Sequence, residues 1–327
     1  MTGLFDSYRR RINYMRISVT DRCNMCCIYC NAKSVPHLSH DDILRYKEIQ
    51  RVVQAAVGLG VKSLRITGGE PLVRPDLSAL VELLSRVEGI SDISLTTNGA
   101  LLDKYALELK EAGLKRVNIS LDTFKADRFK YITGSDKIEE VLNGIEAAKK
   151  VGLEPVKINM VVLKGINDDE VVDFARMSLS QGWHVRYIEY MPFVDTDAEG
   201  NRVVAVGDIK ALIQQSLGKL EPCLPTKGNG PAKYYRLPDA EGTVGFIGAV
   251  TDCFCADCNR FRLTADGRLR PCLFDDDEVD IKGPLRGGAS LEELGRLIQE
   301  AANMKKEWHH LGKDFVPVKR QMWQIGG

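Results

Sequence analysis

Three cysteines near the amino terminus have the spacing of iron–sulfur ligands. Cys23, Cys27 and Cys30 follow a strand-like segment as C-x3-C-x2-C. Three thiolates at this spacing can bind three irons of a [4Fe–4S] cube and leave the fourth iron open for chemistry. Zinc is the alternative, but structural zinc usually takes four ligands from paired C-x2-C units. Cys26 is adjacent to Cys27 and is poorly placed to complete a tetrahedron, so the spacing favours a cluster.

A second group of cysteines lies towards the carboxyl terminus. Cys255, Cys258 and Cys272 form C-x2-C-x13-C. On spacing alone a zinc ribbon stays open, with Cys253 as a fourth ligand. The upstream triplet favours a second iron–sulfur cluster. The chain has nine cysteines, and their clustering in a chain of this length indicates metal binding in a reducing compartment rather than a disulfide scaffold.

Composition places the chain among ordinary globular proteins. It has 327 residues, 44% hydrophobic and 28% charged, with a net charge of zero. Neutrality gives no global electrostatic case for binding nucleic acid or an anionic membrane. No apolar run approaches the ~20 residues of a spanning helix, and the basic amino terminus lacks the apolar core of a secretory signal. We therefore expect a cytoplasmic protein without a nucleic-acid or membrane partner.

Six strand-like segments alternate with amphipathic helical patterns. The predicted strands are residues 15–20, 63–67, 92–97, 116–122, 156–162 and 184–190, and the predicted helices are residues 41–57, 77–87, 101–112, 138–151 and 170–180. Six βα units in series predict parallel strands with right-handed crossovers.

The first five strands are apolar on one face and polar on the other. In the first, Met15 and Ile17 alternate with Arg16 and Ser18. A sheet covered on both faces would be apolar on both. The pattern therefore predicts a curved sheet with helices outside and a polar, ligand-filled interior. The sixth strand, which contains Arg186, does not alternate regularly between apolar and polar residues, so the sequence does not assign its two faces.

The pattern changes beyond about residue 220. Pro and Gly mark a long loop, followed by short strands at residues 233–237, 243–248, 260–264 and 268–270. Asp266-Gly267 predicts a hairpin turn. A helix at residues 290–304 opens with the capping-box pair Ser290 and Glu293. We predict two domains, residues 1–220 and 221–327.

Several motifs together resemble the GTP 3′,8-cyclase family of the radical S-adenosylmethionine (SAM) superfamily. They are residues 16–24, 65–71, 96–99, 254–267 and 272–274 and the Gly-Gly tail, which occur in the family's order along nearly the whole chain. The resemblance implies an α/β fold, a partial (β/α)6 TIM-like barrel with a smaller C-terminal domain that carries a second cluster. It also implies two [4Fe–4S] clusters and SAM as cofactors.

The resemblance assigns roles to individual residues. Cys23, Cys27 and Cys30 would hold the cluster whose open iron binds SAM, and Cys255, Cys258 and Cys272 the cluster whose open iron binds the guanine of GTP. The implied SAM contacts are Tyr29, Gly69, Glu70, Ser120 and Met191. The implied GTP contacts are Arg16, Arg65, Thr96, Lys157, Arg260, Phe261 and Arg262. The residues implied in catalysis are Arg16, Arg260, Arg262, Gly326 and Gly327.

The implied reaction converts GTP to 3′,8-cyclo-7,8-dihydro-GTP through a 5′-deoxyadenosyl radical, the first step of molybdenum cofactor biosynthesis. It implies an electron donor and a downstream cyclic pyranopterin monophosphate synthase; a homodimer stays open. The alternatives are another two-cluster radical SAM enzyme that acts on a peptide, and a non-catalytic electron carrier or zinc scaffold. The chain departs from the family's usual pattern at Cys26, at Cys253 and at Ser63, where relatives often carry a phosphate-binding Lys.

Overall fold

A single twisted sheet organises the molecule. The computed structural model describes residues 3–30, 37–191, 202–224, 227–309 and 319–326. The strands are β1 Tyr14–Ser18, β2 Ser63–Thr67, β3 Asp92–Thr97, β4 Arg116–Ser120, β5 Lys157–Val162, β6 His184–Glu189, β7 Glu221–Pro222, β8 Lys233–Arg236, β9 Thr243–Ile247, β10 Arg260–Leu263, β11 Arg268–Arg270 and β12 Val279–Asp280. The helices are α1 Tyr46–Gly58, α2 Leu77–Ser85, α3 Leu102–Glu111, α4 Ala126–Thr133, α5 Ile138–Lys150, α6 Val171–Ser180, α7 Val206–Leu217, α8 Lys282–Arg286 and α9 Leu291–Asn303.

The strand order confirms the predicted series of parallel βα units. Strands β1 to β6 lie side by side in chain order, and each pairs in parallel with the next. Strand β10 pairs in parallel with β1 at one edge, and β9 with β6 at the other. Strands from beyond residue 220 thus extend the sheet at both edges. The division of the chain at 220/221 stays a prediction.

The hydrophobic core lies between the sheet and the helices outside it. Met15 and Ile17 of β1 and Leu64 and Ile66 of β2 are fully buried there, as the strand alternation predicts. The alternate side chains point to the other face of the sheet, which is the polar one. The predicted polar interior therefore follows from the register of the strands.

Some elements differ from the sequence-based expectation. Helices α4, α7 and α8 lie outside the predicted helical segments. Helix α1 starts at Tyr46 rather than at residue 41, because Arg45 is its N-cap residue and the Arg45 N–H donates to Glu48 at 2.7 Å. Ser39 instead bonds Asp42 in a local turn.

Two local signals are confirmed. Ser290 and Glu293 form the capping box of α9, and Gly267 forms the β10–β11 turn with φ of +77°. Among the described residues, none of the helices combines the length and apolar character needed to cross a bilayer.

Candidate active site

A cavity lies inside the curved sheet, on its polar face. The volume of this cavity is ≈ 230 Å³. The sequence-predicted residues that line it are Arg16, Tyr29, Arg65, Thr96, Ser120, Met191, Cys255, Cys258, Arg260, Phe261, Arg262 and Cys272. Residues from both ends of the chain thus meet at one cavity.

Strand register brings the arginines of this face together. Arg16 of β1 is the register partner of both Arg65 of β2 and Arg262 of β10. Burial and neighbouring positive charge lower the pKa of Arg16 well below its usual value, and the pKa of Arg65 and of Arg262 falls to about 10 for the same two reasons. These buried cations have no carboxylate partner among the described residues, so they form a site for a strongly anionic ligand.

Three more buried cations adjoin Arg16, Arg65 and Arg262 and complete the basic face of the sheet; of these three, Arg186 lines the cavity. Arg116 forms a forked ion pair with Asp92, and Arg186 donates to Asn118 Oδ1 at 2.6 Å. Lys157 is 2% exposed and donates to the backbone carbonyl of Lys227 at 2.7 Å. Burial, with the charges of Arg186 and Arg116, lowers the pKa of Lys157 to about 6.

Arg186 is a cavity residue that the sequence reasoning missed. It pairs in register with Asn159, which lies on the predicted polar face of β5. Paired residues of neighbouring strands point to the same face of a sheet. The pairing with Asn159 therefore places Arg186 on the polar face, but the sequence does not reveal which residues pair.

Six buried polar atoms that belong to cavity residues have no hydrogen-bond partner among the described residues. They are Tyr14 OH, Arg16 Nε, Thr96 Oγ1, Asn159 Oδ1, Arg186 Nε and Arg260 Nε. An orphaned buried polar group costs about 1–3 kcal/mol. A polar ligand that satisfied these atoms would recover that cost, so the cavity fits an anionic, hydrogen-bonding substrate.

The first cysteine triplet lies in the loop after β1. At the end of α4, the Thr133 carbonyl accepts from the Cys26 N–H and the Ile132 carbonyl accepts from the Ile28 N–H, both at 2.8 Å. On the other side, Asn98 Nδ2 donates to Asn24 Oδ1 at 2.8 Å. The unpredicted helix α4 therefore anchors the loop.

The thiols of this loop fit a cationic cluster. Burial first, and then the charge of nearby thiols and carboxylates, raises the pKa of Cys23 to about 11, that of Cys30 to about 12 and that of Cys27 well above its usual value. Iron favours the thiolate and compensates the repulsion among the three sulfurs. Tyr29 donates to Asp122 at 2.6 Å, which fixes its ring between this loop and the cavity.

The Gly68-Gly69-Glu70 segment packs against the same loop. A side chain on Gly69 would meet the Arg22 carbonyl oxygen at 2.5 Å, so the close approach that requires glycine is to the chain's own backbone. The Glu70 carboxylate accepts from the Thr97 hydroxyl and the Asn98 N–H, both at 2.7 Å, and burial raises its pKa to about 7. A SAM contact at Gly69 and Glu70 stays a prediction.

The second cysteine triplet lines the cavity directly. Burial raises the pKa of Cys255 to about 12 and also raises that of Cys272. At Cys258 burial opposes the thiolate, but the charges of Arg260 and Lys305 together outweigh it and lower the pKa to about 7. This is a further fit between the donor set and a metal cluster.

Lys305 was missed by the sequence reasoning. It is 4% exposed and donates to the carbonyls of Pro271 at 2.7 Å and Arg260 at 3.1 Å. It sits just after α9 in an ordinary-looking Lys-Lys pair, so no local signal marks it.

The carboxyl-terminal tail enters the site. Arg262 donates to the Gly326 carbonyl at 2.7 Å. Gly326 has φ of +72°, and a side chain there would overlap Thr67 Oγ1. The backbone N–H of Trp323 donates to the Cys30 thiol. The tail thus connects the basic face to the first cysteine loop. Gly327 lies outside the described residues.

One predicted GTP contact, Phe261, lies apart from the cations. Phe261 alternates with Arg260 and Arg262 along β10, and it packs in the hydrophobic core. Phe261 borders the cavity as part of β10, but its side chain lies on the opposite face from Arg260 and Arg262. At the departure from the family pattern, Ser63 is 5% exposed and accepts from Asn229 Nδ2 at 3.3 Å, so a neutral pair occupies this position.

Comparison with family models matches two consecutive segments. Residues 17–178 match the radical SAM superfamily, and residues 183–311 match the family described as Molybdenum Cofactor Synthesis C. The two matched segments together contain both cysteine triplets.

The chain is similar along its full length to curated proteins. It is 50% identical over 324 residues to the GTP 3′,8-cyclase of Pelotomaculum thermopropionicum, covering 98% of this chain and 99% of that protein. It is 49% identical over 323 residues to the GTP 3′,8-cyclase of Moorella thermoacetica, with the same coverage. Among solved structures, Streptococcus suis SuiB bound to SAM matches with a TM-score of 0.63 at 15% identity, over 88% of this chain and 67% of SuiB. This last likeness shows the fold alone.

Proposed function

The chain belongs to the GTP 3′,8-cyclase family of radical SAM enzymes, and on this premise we propose how its residues carry out the cyclisation of GTP. The activity is that of molybdenum cofactor biosynthesis, with SAM and [4Fe–4S] clusters as cofactors. One observation carries the assignment of the site: the buried, unpartnered polar atoms of Arg16, Arg186 and Arg260 surround a cavity that also touches the second cysteine triplet.

The basic face binds the triphosphate of GTP. Arg65 and Arg186 offer guanidinium groups, which suit phosphate by forked hydrogen bonds, and Lys157 offers a point charge. Thr96 Oγ1 and Asn159 Oδ1 are unpartnered and supply the polar contacts that the sugar and phosphates require. Positioning the substrate in this way removes most of the translational freedom that would oppose ring closure.

The two cysteine triplets stand at the ends of the substrate. Cys23, Cys27 and Cys30 would hold the first cluster, with Tyr29, Gly69, Glu70, Ser120 and Met191 around SAM. When bound, this cluster and SAM supply the 5′-deoxyadenosyl radical that removes the hydrogen atom at C3′ of GTP, so that C3′ bonds to C8 of guanine. Cys255, Cys258 and Cys272 would hold the second cluster at the guanine end.

The protein's own contribution is position and exclusion of water. Arg16 and Arg262 hold charge beside the reacting sugar, and Arg262 also fixes Gly326 of the tail. Phe261 packs behind the strand and keeps Arg260 and Arg262 on the inner face. In this proposal Gly326 and Gly327 complete the wall of the site.

Further partners belong to the same proposal. After ring closure, formation of 3′,8-cyclo-7,8-dihydro-GTP requires one electron and one proton, so an electron donor is needed. The product would pass to a cyclic pyranopterin monophosphate synthase. The clustered thiols favour a reducing, cytoplasmic setting, and the balanced charge favours neither nucleic acid nor membrane. A homodimer remains open.

The proposal is tested by an anaerobic assay with SAM, GTP and dithionite that measures 5′-deoxyadenosine and the cyclised nucleotide together. We expect both products, and we expect Arg262→Lys to lose the cyclised nucleotide. Arg268→Lys is the matched control, since Arg268 lies on the adjacent strand with its side chain 40% exposed.

Deoxyadenosine without cyclised nucleotide, at full iron and sulfide content, would overturn the substrate assignment. A precursor peptide would then be the next substrate to test. The likeness to SuiB at 15% identity concerns the fold, so it does not favour the peptide alternative.

A further inference from the structure

A second set of metal-binding side chains overlaps the second cysteine triplet. Cys253 and Cys255 carry two thiols, and His309 carries an imidazole; their ligand atoms all lie within 4.8 Å of one another. The Cys253 Sγ to His309 Nε2 distance is 3.4 Å. Cys253 lies two residues before the triplet in sequence, but His309 joins it only through the tertiary fold.

The 3.4 Å between Cys253 Sγ and His309 Nε2 is close to the spacing that a tetrahedral ion requires, and the other ligand atoms lie within 4.8 Å. Zinc bonds of about 2.3 Å to sulfur and about 2.0 Å to nitrogen place sulfur and nitrogen about 3.6 Å apart, and two sulfurs about 3.8 Å apart. Two thiolates and a neutral imidazole also balance the charge of a divalent ion. The set leaves one coordination position for water or an exogenous ligand.

The surrounding structure holds the two ligand-bearing segments in place. Arg10 donates from one nitrogen to the carbonyls of Cys255 and Glu307, at 2.7 and 2.8 Å. The backbone N–H of His309 donates to the Cys255 thiol, and the His309 ring packs edge-on against Phe274 with centroids 4.8 Å apart. Outer contacts of this kind orient metal ligands. Cys253 and His309 are half-buried, which leaves an entry path.

We propose that Cys253, Cys255 and His309 bind one divalent thiophilic ion, zinc being the best match, in the protein that lacks its second cluster. Because Cys255 cannot serve both sites, a bound ion and the second cluster exclude each other. The metal site stands on its geometry alone; only the exclusion rests on the proposed function. The site would make second-cluster assembly sensitive to free zinc.

Cobalt titration of cluster-free full-length chain tests the site. Cys23, Cys27 and Cys30 are changed to Ser in all samples, so that the first triplet cannot bind the probe. We expect one cobalt per chain, with the visible bands of a tetrahedral ion and thiolate charge-transfer absorption. Cys253→Ser and His309→Asn should each weaken binding at least about tenfold, the scale on which metal sites respond even to outer contacts.

Cys258→Ser and Cys272→Ser are the matched controls, since both remove a thiol of the triplet and leave the proposed set intact. Circular dichroism of each variant checks that it is folded. Loss of cobalt binding in Cys258→Ser and Cys272→Ser, but not in Cys253→Ser and His309→Asn, would assign the ion to the triplet and overturn the proposal. Absence of cobalt binding at Cys253 and His309 would overturn it too.

Reconstitution of the unmodified chain tests the exclusion separately. Chain preloaded with one equivalent of zinc should take up about four irons fewer than chain without zinc, one [4Fe–4S] cluster. In Cys253→Ser, zinc should have no effect on iron uptake. Two full clusters in chain that retains its zinc would contradict the exclusion and leave the cobalt result standing.

Discussion

Lys157 is a buried cation whose charge depends on what occupies the site. Burial and the neighbouring arginines lower its pKa to about 6, so the amine is largely neutral above that pH in the ligand-free site. A triphosphate beside it favours the ammonium form and raises the pKa again. If GTP binds beside Lys157 as proposed, we expect binding to take up a proton at neutral pH.

The consequence is a pH-dependent affinity. As pH rises above 6, protonating Lys157 costs more, so GTP affinity should fall by up to about tenfold per pH unit until the pKa of the complex is reached. Calorimetry between pH 7.5 and 9, in buffers of different ionisation enthalpy, measures both the affinity and the proton uptake.

Lys157→Arg is the control for this prediction, because arginine stays charged over the whole range. Its affinity should change less with pH, and its proton uptake should be smaller. Equal slopes for the two proteins would show that Lys157 is not the titrating group.

Gly326 is a second residue whose role in the site depends on its backbone conformation. Its φ of +72° and the overlap of a side chain with Thr67 predict that Gly326→Ala displaces the tail from Arg262. The left-handed conformation alone costs about 1–2 kcal/mol for a residue with a Cβ. We expect both clusters to remain and deoxyadenosine to form, while cyclised nucleotide per deoxyadenosine falls more than about tenfold, as for misplaced substrate groups.

Gly165→Ala separates the effect of backbone strain from the effect of side-chain overlap. Gly165 is exposed and also has φ of +72°, but nothing lies within 4 Å of a side chain there. It should share the backbone strain and keep the ratio of products. If Gly326→Ala kept that ratio as well, the tail would have no part in the chemistry.

At the scale of elements, helix α5 supports the first cysteine loop from behind. A side chain on Gly144 of α5 would overlap the Gly99 carbonyl oxygen and meet Leu102 Cβ at 3.1 Å. The loop that contains Gly99 also carries Asn98, which bonds Asn24 beside Cys23. Close packing of a helix on a loop therefore positions the proposed cluster ligands, which neither element contains.

Gly144→Ala should push this loop away from the cysteines. We expect a loss of about 1–3 kcal/mol of unfolding free energy, as for other overpacked sites, and lower occupancy of the first cluster. Denaturant unfolding and iron content measure the two effects.

Gly295→Ala in α9 is the matched helical control, since nothing lies within 4 Å of a side chain there. It should stabilise the protein by about 0.5–1 kcal/mol, the usual gain over glycine inside a helix. A neutral Gly144→Ala variant would show that α5 and the loop can separate without cost.

At the scale of the whole molecule, Arg10 joins the amino-terminal segment to the second cysteine group. It donates to Asp6 at 2.6 Å and to backbone carbonyls of Cys255, Lys306 and Glu307. These contacts connect parts of the chain about 245 to 297 residues apart. One planar, five-donor side chain is suited to this task, and lysine is not.

Arg10→Lys should therefore weaken the second cluster selectively. We expect about 2–4 kcal/mol less unfolding free energy, from several lost hydrogen bonds to a charged donor, and a fall in second-cluster iron. Spectroscopy of the two clusters, with Arg9→Lys at the exposed neighbouring position as control, checks the selectivity. Equal loss of both clusters would indicate general unfolding instead.

The sequence by itself determined the local chemistry. Cysteine spacing is local, so C-x3-C-x2-C and C-x2-C-x13-C could be interpreted before any fold was known. Strand alternation is also local, and it placed Arg16, Arg65 and Lys157 on the polar face because neighbouring side chains of a strand must point to opposite sides. The motifs that resemble the family are likewise short runs.

Only the tertiary structure decided which distant residues meet. The pairing of β10 with β1 brings Arg262 to Arg16, and long-range packing places Lys305 beside Cys258 and His309 beside Cys253. The position of Arg186 follows from the strand register. That register is set by the twist of the sheet and by the neighbouring strands. Such contacts join residues from different elements, 56 positions apart for Cys253 and His309, and no local pattern encodes their partners.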